Sequence, residues 1–285
     1  MNLRDVVAAI RAGSEEVAAR PLTGGMNNTV FAVTLPDGTP ACCKLFRNDD
    51  RRAHEREWNA LCLLRDADAE FAPMPLYHEP GAVLMSFVEG EDLGGSSLDP
   101  TQMWTLANRL DRLYSIPVPA SVPVVSQPTE GVDRIRRLQG TVASDDPAVA
   151  VAGQWLATTE PDELRNLDLS VFGRGDRNLA NCLWHPPALT LVDWEYSGRT
   201  SRAFELGDLI EHIQSRATSD ATWDVLVETF DLTRTERHSL ALARRLMSVY
   251  WLLLLQPGQP GAAINPAEAR TAQSERVLAL LDAPP

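Results

Sequence analysis

Apolar residues recur at helical spacing in Leu3, Val6, Val7 and Ile10, which predicts a short helix over residues 3–12. The run Pro21-Leu22-Thr23-Gly24-Gly25-Met26-Asn27-Asn28-Thr29 breaks that pattern and reads as a turn. A β-rich run, Val30 to Leu35, follows it. Pro36-Asp37-Gly38-Thr39 then makes a tight turn, because proline presets its first bend and glycine tolerates its last. Ala41-Cys42-Cys43-Lys44-Leu45-Phe46 is the returning strand, with Cys42 and Cys43 on opposite faces and one of them in the core. From Asn48 to about Arg65 the spacing turns helical, with Trp58, Leu61, Cys62 and Leu64 as the apolar stripe. Two short strands are expected near Leu76–His78 and Ala82–Phe87. Val88 to Asp92 is polar and marks a boundary, giving lobes of residues 1–88 and 89–285.

Beyond that boundary the pattern is mostly helical. Met103, Leu106, Ala107, Leu110 and Leu113 define a helix over Pro100–Tyr114. Residues 116–128, rich in proline and valine, read as an extended loop. Helices are expected at 133–139, 148–158, 203–215, 222–230, 235–255 and 266–281. Trp155, Trp223 and Trp251 fall on apolar helix faces and are expected in the core. The exception to helix is residues 171–198, where Cys182–Trp184 and Leu189–Val192 flank the turn His185-Pro186-Pro187. Asp176 and Asn181 precede the first of these strands, and Asp193 ends the second.

Composition narrows the classes of function. The 285 residues are 44% hydrophobic, enough for a core of one large domain or two lobes. The longest apolar run, Tyr250 to Leu255, is far short of the roughly 20 residues of a membrane span. The first residues lack the layout of a signal peptide, and the four cysteines show no metal-ligand or disulfide spacing. A cytoplasmic setting is expected, with no membrane partner. With 26 basic and 39 acidic residues the net charge is −13, and no basic patch is evident, so nucleic acid is not an expected partner. The acidity either favours a cationic substrate or simply keeps the chain soluble. The five histidines are scattered and suggest no metal pair. Of the 26 basic residues only Lys44 is a lysine. Either it is a chance survivor, or its site needs a compact point charge on a flexible stem, which the planar arginine fork cannot supply.

An acid, an amide five residues later and a second acid closing a hairpin are the parts phosphoryl transfer requires. Asn181 and Asp193 offer the hard oxygens that Mg²⁺ takes. Asp176 can take the proton of an attacking hydroxyl. Lys44 can neutralise a triphosphate, held by Glu57 on the neighbouring helix. The Gly24-Gly25 turn can lie close over phosphates because no Cβ obstructs it. Each piece alone is weak, since most Gly-Gly pairs are only turns and most polar hairpin residues are only solvated. Their order carries the argument.

In that order the chain resembles the aminoglycoside-phosphotransferase and choline-kinase group of protein-kinase-like enzymes over roughly residues 20 to 215. Residues 24–31 are similar to the family's nucleotide loop, with Asn28 at its asparagine. Lys44 and Glu57 match the strand lysine and its helix partner, and Met85-Ser86-Phe87-Val88 resembles the hinge whose backbone at Ser86 and Val88 holds adenine. Asp176 to Asn181 is similar to the catalytic loop, and Asp193-Trp194-Glu195-Tyr196 to the metal-binding segment, here in its choline-kinase form. Glu205 falls where the family has an acid that braces the catalytic loop. Arg174 departs from the pattern by replacing the family's histidine, as does Asn178 where a second histidine is common.

The resemblance implies a two-lobed α/β fold, with a small lobe of antiparallel sheet plus helix and a larger helical lobe. ATP and Mg²⁺ are the expected cofactors, and a hydroxyl of a small molecule is the acceptor. At about 100° per residue, Glu205 and Asp208 share one helix face, and Glu211 lies a further turn along. With Glu205 as the brace, Glu195, Asp208 and Glu211 are expected to form an acidic rim that would select a cationic acceptor of the aminoglycoside or amino-sugar type; the alternative is that Asp208 and Glu211 are ordinary solvated helix residues. The alternatives are a choline or amino-alcohol kinase and, from another class, a nucleotide-binding regulatory protein impaired by Arg174.

Overall fold

The structure, a computed structural model, describes residues 1–22, 28–47 and 52–283. Helix α1 (Leu3–Ala12) leads into strands β1 (Ala19–Leu22), β2 (Thr29–Thr34) and β3 (Pro40–Leu45). Helix α2 (Ala53–Asp66) and strands β4 (Pro75–Glu79), β5 (Ala82–Ser86) and β6 (Glu91–Asp92) follow. Next come α3 (Pro100–Tyr114), α4 (Ser126–Gln139), α5 (Pro147–Leu156) and β7 (Val171–Gly173). The hairpin β8 (Cys182–His185) and β9 (Ala188–Leu191) precedes β10 (Gly198–Thr200). Helices α6 (Arg202–Glu211), α7 (Asp220–Glu228), α8 (Arg234–Leu254), α9 (Pro260–Ile264) and α10 (Ala267–Asp282) complete it.

The chain divides into two compact units. The first joins residues 1–93 to 181–197, so the β8–β9 hairpin belongs with strands about ninety residues earlier. Its main sheet has the order β1-β2-β3-β5-β4, with every pairing antiparallel. Helix α1 packs on one face through Val6, Val7 and Ile10, which meet Val33, Ala41, Cys43 and Leu84 in a closed apolar cluster. Full burial of each such aliphatic side chain is worth about 1.5–3 kcal/mol. A capping box holds the start of α1: Asn2 and Asp5 each accept the other's backbone N–H. Strand alternation does the rest. Cys43 lies in the α1 cluster with no exposure while Cys42 is half-buried, and the pleat turns Lys44 to the opposite side from Cys43.

The second unit joins residues 94–180 to 198–285 and is helical apart from the short β7–β10 pair. Its core gathers Ile135 of α4, Val149 and Trp155 of α5, Phe204 of α6, Leu246 and Val249 of α8 and Val277 of α10. Trp155 and Trp223 are buried as their helix faces imply, whereas Trp251 is half-buried. Among the described residues no helix is long and apolar enough to cross a membrane.

Several expectations shift. Pro21 and Leu22 are not turn but the end of β1, an edge strand where a proline removes no needed ladder bond. Helix α4 starts at Ser126 within the expected loop, since a proline in a helix's first turn has no intrahelical bond to forfeit. Three-residue strands such as β7 and β10 are too short to show a period, and neither was anticipated. Helix α6 stops at Glu211, where His212 turns extended before a 3-10 turn over Ile213–Ser215. The histidines are not all scattered in space. His54 of α2 and His78 of β4 meet edge to edge, with Nδ1 and Nε2 2.9 Å apart, because α2 packs on β4.

The acidic rim does not form at the positions expected for it. Glu211 has no exposed surface and accepts hydrogen bonds from Arg216, Arg244 and Arg276 at 2.7–3.0 Å. Asp220 shares Arg244 and Arg276, so the network ties α6, α7, α8 and α10 together. Burial alone would raise the Glu211 carboxyl, but the three guanidiniums hold it below the usual carboxylate range. Asp208 is buried as well, paired with Arg177 at 2.9 Å. The helix-face argument placed these acids together correctly, yet the face is turned into the unit. Replacing Glu211 with alanine leaves three arginines converging on an empty centre. Those arginines keep 17–25% side-chain exposure and can partly rehydrate. Chemical denaturation of Glu211→Ala should therefore show a loss of about 3 kcal/mol, the lower end for a broken buried pair.

Candidate active site

In the first unit the lone lysine sits at the meeting point of three carboxylates. Lys44 Nζ lies 2.6 Å from Glu57 Oε2, 2.5 Å from Asp193 Oδ1 and 3.4 Å from Glu195 Oε2. Three elements supply them: Lys44 comes from β3, Glu57 from α2, and the two other acids from the segment after β9. Lys44, Glu57 and Glu195 are buried, and Asp193 keeps 33% side-chain exposure. Burial opposes a charged ammonium, yet the acids hold Lys44 well above the ordinary lysine range. The Glu57 carboxyl is raised, first by burial and then by repulsion from Asp193 and Glu195, against the pull of Lys44. Such a cluster tolerates its lysine only as a cation.

The hairpin positions the acids. Asn181 accepts the Val192 N–H at 3.0 Å, one step beyond the Cys182–Leu191 pair, so Asn181 and Asp193 share its open end. Asp193 takes a left-handed backbone with φ 65°, an uncommon conformation for an acid that redirects the chain after β9. The Trp194 N–H then reaches Glu57 Oε1 at 3.4 Å, and the Trp194 indole N–H caps the Leu191 carbonyl at 3.1 Å. These contacts bring Asn181, Asp193, Lys44 and Glu57 onto one unit, as phosphate and metal chemistry requires. Asn28 also joins the cluster: its amide donates to Glu195, and its oxygen accepts the Arg47 N–H at 3.4 Å. Gly24 and Gly25 lie outside the described residues. At the expected hinge, the Ser86 N–H donates to the Met74 carbonyl at 2.9 Å.

In the second unit the loop bearing Asp176 is built on Glu205. Glu205 Oε2 accepts the Arg174 N–H at 3.1 Å, and the other carboxylate oxygen pairs with Arg177. Gly173 must be glycine here, because a Cβ would lie 2.5 Å from the Glu205 carboxylate. Arg177 also donates to the Gly175 carbonyl and to Asp208 at 2.8 and 2.9 Å. Gly175, at φ 72°, makes the left-handed bend just before Asp176. Asp176 is half-buried, its Oδ1 accepting the Asn178 N–H at 3.1 Å. Arg174 is buried, with Nη2 donating to the Asn178 carbonyl at 3.3 Å. Sequence reasoning gave Glu205 a bracing place but missed Arg177, the cation through which it braces. The signal was present in the three-residue spacing of Glu205 and Asp208, two acids on one helix face that need a buried counterion.

A family model described as "Phosphotransferase enzyme family" matches residues 18–242, most of the chain. The chain belongs to the phosphotransferase enzyme family. Members of that family are small-molecule kinases that transfer phosphate to hydroxyl groups. No curated protein matches this chain in sequence. Solved structures share its fold. A choline/ethanolamine kinase family protein from Mesorhizobium loti is 18% identical with a TM-score of 0.70, covering 99% of this chain and 96% of that one. A spectinomycin phosphotransferase is 13% identical with a TM-score of 0.68, covering 98% of both. The choline kinase of Cryptosporidium parvum is 11% identical with a TM-score of 0.65, covering 98% of this chain and 95% of that one.

In this phosphotransferase the arginines around the loop bearing Asp176 act on His212. Burial first, then Arg174, Arg216 and Arg177, push the His212 imidazole down to about 3. The ring stays neutral, its Nδ1 accepting the Gln214 N–H at 3.2 Å with Trp251 edge-on at 4.7 Å. An unfolded chain takes up this proton near pH 6.5, the folded one only near pH 3. Between those values the unfolded state binds more protons, so stability falls as the pH drops, by at most about 1.4 kcal/mol per unit. His212→Gln lacks the proton but keeps an acceptor. Its stability relative to the parent enzyme should improve by about 2 kcal/mol from pH 7 to pH 5 in urea titrations. A difference that stays constant would show that His212 titrates normally.

Proposed function

We propose that this phosphotransferase moves the γ-phosphoryl group of ATP to a hydroxyl of a small molecule, with Asp176 as general base. The Lys44 cluster carries the reading. A buried ammonium held by Glu57 and Asp193 is a preorganised positive charge for the phosphates of a nucleotide. Val88 N–H and the Ser86 carbonyl would hold the adenine edge, and the loop at Gly24 and Gly25 would cover the phosphates.

Asn181 and Asp193 would hold Mg²⁺. Their hard oxygens suit that ion, and Asp193 keeps a second carboxylate oxygen beyond the one on Lys44. When bound, the ion supplies positive charge that offsets the phosphates. The acceptor oxygen forms its bond to the γ-phosphorus as the bond to the bridging oxygen breaks. The acceptor proton passes to the Asp176 carboxylate, and ADP leaves. Glu205 and Arg177 keep Asp176 in place rather than touching the substrate.

The proposed acceptor is a hydroxylated amine. The names of structurally similar proteins, choline/ethanolamine kinases and a spectinomycin phosphotransferase, support it, as does the net charge of −13. Asp208 and Glu211, themselves buried and paired with arginines, lend it no support. Choline-type and aminoglycoside-type acceptors are two versions of this reading. Arg174 in the histidine position favours a second reading, a nucleotide binder without turnover.

The test is ADP release with a panel of amino alcohols, amino sugars and aminoglycosides, each matched to a neutral analogue at low and high salt. Amines should be preferred, with salt eroding the preference, and Asp176→Asn should lose at least 100-fold in kcat. Nucleotide binding without ADP release on any acceptor would favour the second reading.

Lys44→Arg conserves charge but not shape. In a cluster this crowded the planar fork cannot replace a point charge, so a loss on the order of 100-fold in kcat/KM is expected. A folded Lys44→Arg enzyme within threefold of the parent would remove Lys44 from the phosphate site.

A further inference from the structure

Glu195 was expected on the acceptor side, as part of an acidic rim. Its side chain is 2% exposed, and its partners belong to the nucleotide side of the reading above. One oxygen, Oε2, does two things: it accepts the amide N–H of Asn28 and faces Lys44 Nζ. The two contacts are unequal. At 3.4 Å the approach to Lys44 is the longest of the three carboxylates, and Glu57 and Asp193 already hold that ammonium at 2.6 and 2.5 Å. The contact with Asn28 is a short, direct hydrogen bond. Asn28 Oδ1 faces the Arg47 N–H only at 3.4 Å, so the bond to Glu195 is the firmer of its two. Asn28 stands just before β2, whose Val30 pairs with Lys44.

We propose that Glu195 is a positioning residue that acts through Asn28. It ties the start of β2, whose Val30 pairs with Lys44 of β3, to the segment after β9 that carries Asp193, and so fixes Lys44 and Asp193 relative to each other. It touches neither acceptor nor metal in this role. The need is physical. A phosphate site built on Lys44 and Asp193 loses affinity when those two groups are free to shift against each other. A carboxylate suits the task because a charged acceptor makes a stronger bond to the amide than a neutral one. The Trp194 N–H on Glu57 and the Ser197 N–H on the Trp194 carbonyl hold the segment from both sides of Glu195.

The inference rests on the nucleotide reading, and the experiment separates the two. Dissociation constants for ADP are measured by calorimetry, with Mg²⁺ and with EDTA, for the parent enzyme, Glu195→Gln, Glu195→Ala, Asn28→Ala and the double alanine variant. Glu195→Ala and Asn28→Ala should each weaken binding about tenfold in both conditions, and the double variant should be no worse than either alone. Glu195→Gln retains an oxygen that can accept from Asn28 and should stay within threefold of the parent. The KM for the acceptor should not move. Additive losses would overturn the tie through Asn28. A loss seen only with Mg²⁺, with Glu195→Gln as weak as Glu195→Ala, would make Glu195 a metal ligand instead. A shift confined to the acceptor KM would return it to the acceptor side. If the parent enzyme binds no ADP even with Mg²⁺, the nucleotide reading falls and this inference falls with it.

Discussion

A single ammonium organises the first unit. Lys44 lies in a site that burial alone would forbid to a charge, and it stays charged because Glu57, Asp193 and Glu195 converge on it from separate elements. The converse also holds. Three buried or half-buried carboxylates within 4.8 Å of one another would repel strongly without that cation. The Glu57 carboxyl is raised by its burial first and by that repulsion second. So the orientation of α2, the left-handed turn at Asp193 and the placement of the β8–β9 hairpin answer to one electrostatic requirement. The excess of acid over base in the cluster also makes a site where a divalent cation would be welcome.

The second unit meets the same problem twice. Buried Arg177 lies between Glu205 and Asp208, and, with the charges reversed, half-buried Arg216, Arg244 and Arg276 surround the buried Glu211. The fork of a guanidinium serves several acceptors at once, which suits a junction of helices. It does not suit the crowded pocket of Lys44, where three separate oxygens approach one nitrogen. At these inner positions the choice between arginine and lysine thus follows a difference of shape.

The same arginines explain why an acidic composition does not translate into an acidic rim. Formal charge is counted over the chain, but the field at a surface depends on which charges reach it. Glu205, Asp208 and Glu211 lie on one stripe of α6, and the stripe is buried. Helical spacing says which residues share a face. It does not say which way the face looks when the helix is hydrophobic on nearly every side, as α6 is from Ala203 to Ile210.

Much of the architecture was legible in the sequence because it is written in local periods and turn chemistry. The helices over Leu3–Ala12 and Pro100–Tyr114 follow from apolar spacing. The strand carrying Lys44 follows from alternation and its preceding turn, and the ordered run of Lys44, Glu57, Asp176, Asn181 and Asp193 was enough to indicate phosphoryl transfer. What remained hidden depends on contacts between distant segments. That Glu195 bonds Asn28, 167 residues away, that Arg177 turns inward beside an outwardly useful Asp176, and that Glu211 is consumed by three arginines leave no periodic trace. Sequence determined which groups were available and on which elements they stood. Tertiary packing decided their ionic partners, because a charge buried by folding must take whichever counterion the fold brings within reach.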